Sequence, residues 1–104
     1  MEHNFESLFE RVSEFQDKVF KDQTALSKSI HLQREAKELT ESLNGYDFNE
    51  TKMELADCLI LLLGTAKKLG LSANELIEDS FIKLIICEHR EWDKADEQGV
   101  YHHK

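Results

Sequence analysis

The chain has 104 residues, 33% of them charged and 40% hydrophobic, with a formal net charge of −8. That length suits one domain around one modest core, and the composition is ordinary for a soluble globular protein. The acid excess argues against a nucleic-acid polymer or an anionic membrane as partner, since both favour surplus Lys and Arg.

There is no proline and there are only four glycines, so long helices can run uninterrupted. The opening stretch MEHNFESLFE has acids and no apolar h-region, so no secretory signal is expected. No apolar run approaches the roughly 18 residues needed to span a bilayer. Cys58 and Cys87 form no C-x-x-C pair and no zinc spacing, and both read as small core residues. A reducing cytoplasm fits this pattern best.

The apolar spacing reads helical almost throughout. A first helix is expected from about Asn4 to Lys21, with Phe5, Leu8, Phe9, Val12, Phe15 and Val19 on one side. A second covers about Ala25 to Leu43 and is broken by Asn44-Gly45. A third starts near Asp47 and ends at Leu69, with Lys67 and Lys68 in its last turn and Gly70 just beyond. Its stretch from Cys58 to Leu63 is apolar over most of the circumference and needs cover on several sides. Gly64 inside it costs about 1 kcal/mol relative to alanine, which a close helix approach would explain. A fourth helix opens on Ser72-Ala-Asn-Glu75, a capping-box pattern, and runs to about Trp92. The tail from about residue 93 to residue 104 reads as irregular. The short connections make sequential helices antiparallel neighbours, so the expectation is all-α: one antiparallel four-helix bundle-like domain over residues 1–104. The over-apolar third helix further predicts a homo-oligomer.

Acids at i and i+3 share a helix face, and eight such pairs occur here, so the spacing alone selects nothing. Two features single out Glu35/Glu38 and Glu54/Asp57. The first is apolar company: Asp57 has Met53, Ile60 and Leu61 a turn away, and Glu35 has Leu32 and Leu39. A charge beside a core face is costly unless paired or bound to a metal. The second is register. Folding helices 2 and 3 about Tyr46 brings Glu38 level with Glu54 and Glu35 level with Asp57. At 1.5 Å rise per residue the two levels are about 4.5 Å apart, and facing helix axes lie about 8–10 Å apart. Four acids thus converge on one volume, against the alternative of dispersed surface acids.

All four candidates are hard oxygen donors, and no Glu-x-x-His occurs, which favours Mg²⁺, or Mn²⁺, over zinc or a di-iron centre. Magnesium commonly takes substrate phosphates as further ligands. Lys83 and Arg90, seven apart on helix 4, could meet such phosphates; alternatively Lys83 pairs at the surface with Asp79. Phe15, Phe20, His31 and Trp92 could wall a base, or be core aromatics. His31, one turn before Glu35, could also support that ligand. Together these groups suit metal-assisted hydrolysis of a phosphoanhydride.

The segments HLQREAKELTESL, MELADCLILLLGTAKKLGLSANELI and KLIICEHREW resemble the MazG-like all-α nucleoside-triphosphate pyrophosphatases, and the similarity runs from about Val12 into the tail, including FQDKVF and GVYHH. The family signature, E-x-x-E on one helix and E-x-x-D on the next, is met by Glu35, Glu38, Glu54 and Asp57. The resemblance implies Mg²⁺-dependent cleavage of a (deoxy)nucleoside triphosphate to monophosphate and pyrophosphate. It implies the four acids as metal ligands, Lys83 and Arg90 as phosphate contacts, and a homodimer or homotetramer. Two positions depart from the pattern: Arg34 stands where many relatives carry an acid, and Cys87 where many carry asparagine. The Cys87 departure motivates an alternative, a non-catalytic helical oligomer that binds nucleotide or a protein partner.

Overall fold

A computed structural model describes residues 3–104. It contains α1 (Phe5–Val19), α2 (Ala25–Gly45), α3 (Phe48–Lys68) and α4 (Ala73–His89), close to the expected boundaries. Among the described residues no helix is long and apolar enough to cross a membrane.

Each early helix is started by a side chain that satisfies an orphan amide. Asn4 Oδ1 accepts from the Ser7 amide at 2.8 Å and opens α1. Thr24 opens α2 reciprocally: its Oγ1 accepts from the Ser27 amide at 3.1 Å, while Ser27 Oγ accepts from the Thr24 amide at 2.8 Å. Asp47 Oδ1 accepts from the Glu50 amide at 3.0 Å and opens α3. The end of α3 is a six-residue closure: Leu71 N–H donates to Ala66 O at 3.1 Å and Gly70 N–H to Lys67 O at 2.9 Å. Gly70 sits at φ 86°, a left-handed position where glycine alone avoids the Cβ penalty.

Helices α2 and α3 are joined by Tyr46 and Asp47 alone, which folds them back as an antiparallel hairpin. Tyr46 adopts φ 29°, a strained value for a residue with a side chain. The sequence placed the break at Asn44-Gly45; the helix instead runs through Gly45 and turns at Tyr46. Ser42 and Thr51, both buried, hydrogen-bond across the hairpin at 3.1 Å and fix its register.

Helix α1 packs against α3. Its buried face carries Phe9 and Val12, but also Ser13 and Gln16. Gln16 ties three helices together. Its Nε2 donates to Ile60 O on α3 at 3.1 Å, and its Oε1 accepts from Lys28 Nζ on α2 at 2.7 Å. Lys28 is only 2% exposed and also donates to Gln23 Oε1 at 3.4 Å. Burial pushes the lysine pKa down, the Lys68 charge adds to this, and Asp17 opposes it. Gly64 lies directly beneath the Gln16 side chain, so the close approach expected there is made by an amide rather than by a helix backbone.

Contacts divide the chain into a first unit ending at Ala73 and a second from Asn74 to Lys104. In the second unit α4 buries none of its residues. The tail forms no helix or strand, but it closes on itself. Trp92 and His103 form an antiparallel bridge, flanked by Asp93 N–H to His102 O at 2.9 Å and Lys104 N–H to Glu91 O at 3.0 Å. Asp96 makes the turn, its Oδ1 accepting from the amides of Gln98 and Val100 at 2.9 Å and its Oδ2 from His102 Nε2 at 3.1 Å. Those bonds hold the Asp96 carboxyl below its ordinary pKa, the Val100 amide most strongly.

Gly64→Ala tests the Gln16 contact. A Cβ at residue 64 would displace the amide and strand Lys28. Overpacking costs about 1–3 kcal/mol and outweighs the gain in helix propensity of about 1 kcal/mol. The expected result is a lower denaturation midpoint. Gly45→Ala, with open space around a Cβ, is expected to be neutral or stabilising in the same measurement.

Candidate metal centre

The hairpin register places Glu35, Glu38 and Glu54 together: one ligand oxygen from each lies within 4.8 Å of the others. Glu35 and Glu38 are one turn apart on α2, and Glu54 reaches them from α3. Glu35 and Glu54 are half-buried and Glu38 is exposed. Asp57 is not part of this three-oxygen set and is exposed. The apolar company expected for it is also looser than the sequence suggested, because Met53 is 62% exposed. The desolvated acids are therefore Glu35 and Glu54, while Asp57 acts on them through its charge.

The electrostatics follow from this crowding. The Glu35 carboxyl is pushed up to about 7 from an ordinary 4.5. A hydrogen bond shared with Glu38 is the largest cause, followed by burial and by the charges of Glu38, Asp57 and Glu54. Glu54 is raised by burial first, then by Glu38, Asp57 and Glu50. The Cys58 thiol beside them is raised by burial and then by Glu35, Asp57 and Glu54, which keeps it protonated.

Glu54 Oε2 is buried and has no hydrogen-bond partner. An orphaned carboxylate oxygen is costly unless a cation completes it. Three hard oxygens around one small volume, with an orphaned oxygen on one of the three residues, fit a divalent ion such as Mg²⁺ or Mn²⁺. Glu38 and Glu54 border a cleft of about 300 Å³ that Glu41, Asp47 and Glu50 also line. Those three belong to acid pairs that the spacing alone could not separate from solvated surface.

Next to the acids stands a ladder of rings. Phe15 and Phe20 meet edge to face at 5.5 Å and 79°, and Phe20 meets His31 at 5.7 Å and 65°. His31 is half-buried, with Nε2 3.7 Å from Glu35 Oε1 and Nδ1 3.4 Å from Gln23 Nε2. The structure thus gathers three of the four aromatic candidates in the first unit. Trp92 lies in the second, where its Nε1 donates to Cys87 O at 3.0 Å. Lys83 is exposed on α4, and Arg90, just past its end, is half-buried.

Residues 8–103 match the dATP/dGTP pyrophosphohydrolase family over nearly the whole chain. The chain belongs to that family. It is a nucleotide pyrophosphohydrolase, a hydrolase of phosphoanhydride bonds. No curated protein matches the sequence closely enough to add to this. Among solved structures, the MazG-like pyrophosphohydrolase of cyanophage S-2L, bound to dGDP and three catalytic Mn²⁺ ions per active site, superposes with a TM-score of 0.75. It is 24% identical, with 99% of each chain covered, and shows that this pyrophosphohydrolase has the MazG-like all-α fold.

The acid cluster sets a pH dependence. An acid whose folded pKa is raised binds its proton more tightly folded than unfolded. Stability is therefore lost as pH rises from the ordinary value of 4.5 to about 7. The melting temperature of metal-free protein is expected to fall across that window, and saturating Mn²⁺ to abolish the fall. Glu38→Gln, which removes the repelling partner, should flatten the metal-free profile. A wild-type profile already flat without metal would contradict the crowding.

Proposed function

We propose that the pyrophosphohydrolase cleaves a purine deoxynucleoside triphosphate, dATP or dGTP, to the monophosphate and pyrophosphate. The observation that carries this reading is the convergence of Glu35, Glu38 and Glu54 with one buried, unpartnered carboxylate oxygen. The family description supports the purine deoxynucleotide. The dGDP and Mn²⁺ bound by the cyanophage protein support the ligand classes.

In this reading Glu35, Glu38, Glu54 and Asp57 hold Mg²⁺ or Mn²⁺. Bound there, such ions supply charge for the phosphate oxygens and a lowered pKa for the attacking water. Glu35 gives up the proton that it shares with Glu38 and becomes a full anionic ligand. Asp57, exposed and one turn beyond Glu54, is the free carboxylate that remains to complete the set. Phe20 and His31 offer ring surface to a purine, with Phe15 behind Phe20. Gln23 and Glu35 hold the His31 ring from its two nitrogens. Lys83 and Arg90 match the family's phosphate-contacting positions, and Arg90 brings a planar fork suited to phosphate oxygens. Trp92 is the fourth aromatic candidate for substrate contact. The free thiols of Cys58 and Cys87 accord with a reducing cytoplasm, and the net charge of −8 with a small nucleotide rather than a nucleic-acid polymer or membrane.

The reading includes a homodimer or homotetramer. Phe81 is 63% exposed and Ile82 57% on a helix that buries nothing. A groove of about 660 Å³ along α1, lined by Leu8, Val12, Phe15 and Ile60 among others, is likewise apolar. Surfaces this apolar mark association. Light scattering is expected to give a multiple of 12.1 kDa, and Phe81→Glu with Ile85→Glu to shift it toward the monomer. A wild-type mass at the monomer value would contradict it.

The activity test is pyrophosphate release from a panel of nucleotides with Mn²⁺ or Mg²⁺. Turnover of dATP or dGTP is expected, with Glu38→Gln and Asp57→Asn each lowering kcat at least about a hundred-fold. Clean protein that releases no pyrophosphate from any nucleotide would overturn the proposal.

A further inference from the structure

The acid cluster gives the GVYHH segment no task. In the second unit its last histidine returns to the end of α4. His103 Nδ1 lies 3.4 Å from Arg90 Nη1. An arginine can only donate, so this contact makes Nδ1 the acceptor and leaves the ring proton on Nε2.

The tail fixes His103 in three ways. Its backbone bridges Trp92, with Lys104 N–H to Glu91 O at 3.0 Å and Asp93 N–H to His102 O at 2.9 Å on either side. Its ring stands edge to face on Trp92 at 6.1 Å and 89°. Trp92 is itself anchored by the 3.0 Å bond from its Nε1 to Cys87 O. The turn at Asp96 closes the loop on both backbone and side chain. An exposed chain end thus carries a full set of constraints around one ring nitrogen.

We propose that His103 is a positioning residue for substrate binding: the tail hairpin holds its Nδ1 against Arg90, restricting the guanidinium so that its remaining donors are presented to the nucleotide phosphates. A free arginine side chain loses several rotatable bonds of entropy on gripping an anion, and prior restraint reduces that loss. One of five N–H donors goes to the histidine, and the rest stay available. The inference rests on the phosphate role given to Arg90 above.

Two substitutions separate the acceptor from the ring. His103→Phe keeps an aromatic edge for Trp92 and the backbone bridge but removes the acceptor. His103→Asn keeps an acceptor at the δ position and removes the ring. With dGTP and Mn²⁺, His103→Phe is expected to raise KM about five-fold with kcat within about two-fold, and His103→Asn to stay near wild type. In an Arg90→Lys background, which itself raises KM, adding His103→Phe should change KM less than about two-fold, because the two act as one unit.

The proposal is overturned if His103→Phe has a wild-type KM, or if both single variants are equally impaired. It is also overturned if the His103→Phe effect multiplies undiminished on Arg90→Lys. A His103→Phe protein that melts early and loses kcat assigns the residue a structural role instead, with the same consequence. Absence of wild-type turnover would remove the reading of the active site and this proposal with it, whereas wild-type turnover with an indifferent His103→Phe would remove only the proposal.

Discussion

Mutual repulsion among Glu35, Glu38 and Glu54 is the constraint around which the first unit is organised. Three carboxylates with oxygens inside 4.8 Å do not stay there unaided; one of them must hold a proton or all must share a cation. The Glu35 shift to about 7 is the protein's metal-free answer. The rest of the hairpin resists the outward force. Tyr46 accepts a strained φ of 29°, Asp47 caps the returning helix, and Ser42 locks to Thr51. Each is local and lies between the acids and the turn, where a short connection leaves least freedom to splay.

A second polar device acts from the other end. Gln16 joins α1 to the backbone of α3 and to Lys28 of α2, inside a core where leucines would ordinarily suffice. Apolar contacts tolerate sliding; a side-chain amide satisfied on both of its ends does not. The same lysine lies 5.9 Å from the centre of the Phe20 ring, and Phe20 meets His31. The network that fixes the helices therefore also fixes the ring ladder beside Glu35. A buried ammonium costs stability, as its lowered pKa shows, and in return sets one arrangement of three helices.

The helices and the hairpin were legible because period and punctuation agreed: apolar faces, Asp47 at the start of α3, Lys67, Lys68 and Gly70 at its end. The meeting of Glu38 and Glu54 was legible because an antiparallel fold about Tyr46 leaves one register. Three features were not legible. Asp57 was given apolar company beside a core face because neighbours in a helix are counted without knowing which side the next helix covers; α3 turns Met53 and Leu55 outward. Gln16 sits in the apolar stripe with Phe9 and Val12, and that misplaced amide was an available signal, but its partners at Lys28 and Ile60 come from separate helices. The tail hairpin has no alternating apolar pattern, since the Asp96 side chain, not a buried face, closes it.

The polarity of α3 explains why the acids stand where they do. Its N-terminus, carrying free amides and a partial positive charge, lies at Asp47 and favours Glu50 in the first turn. That effect fades within a turn, so Glu54 receives little of it, and its buried Oε2 still lacks a counterpart. Lys67 and Lys68 complement the opposite end and lie too many turns away to neutralise it. The helix thus offsets acid repulsion at the turn and leaves it uncompensated two turns further along. A fixed lysine at that point would have removed the repulsion. What the helix leaves at that level is a buried carboxylate oxygen without a resident partner, beside two further acids whose oxygens a divalent ion would fit.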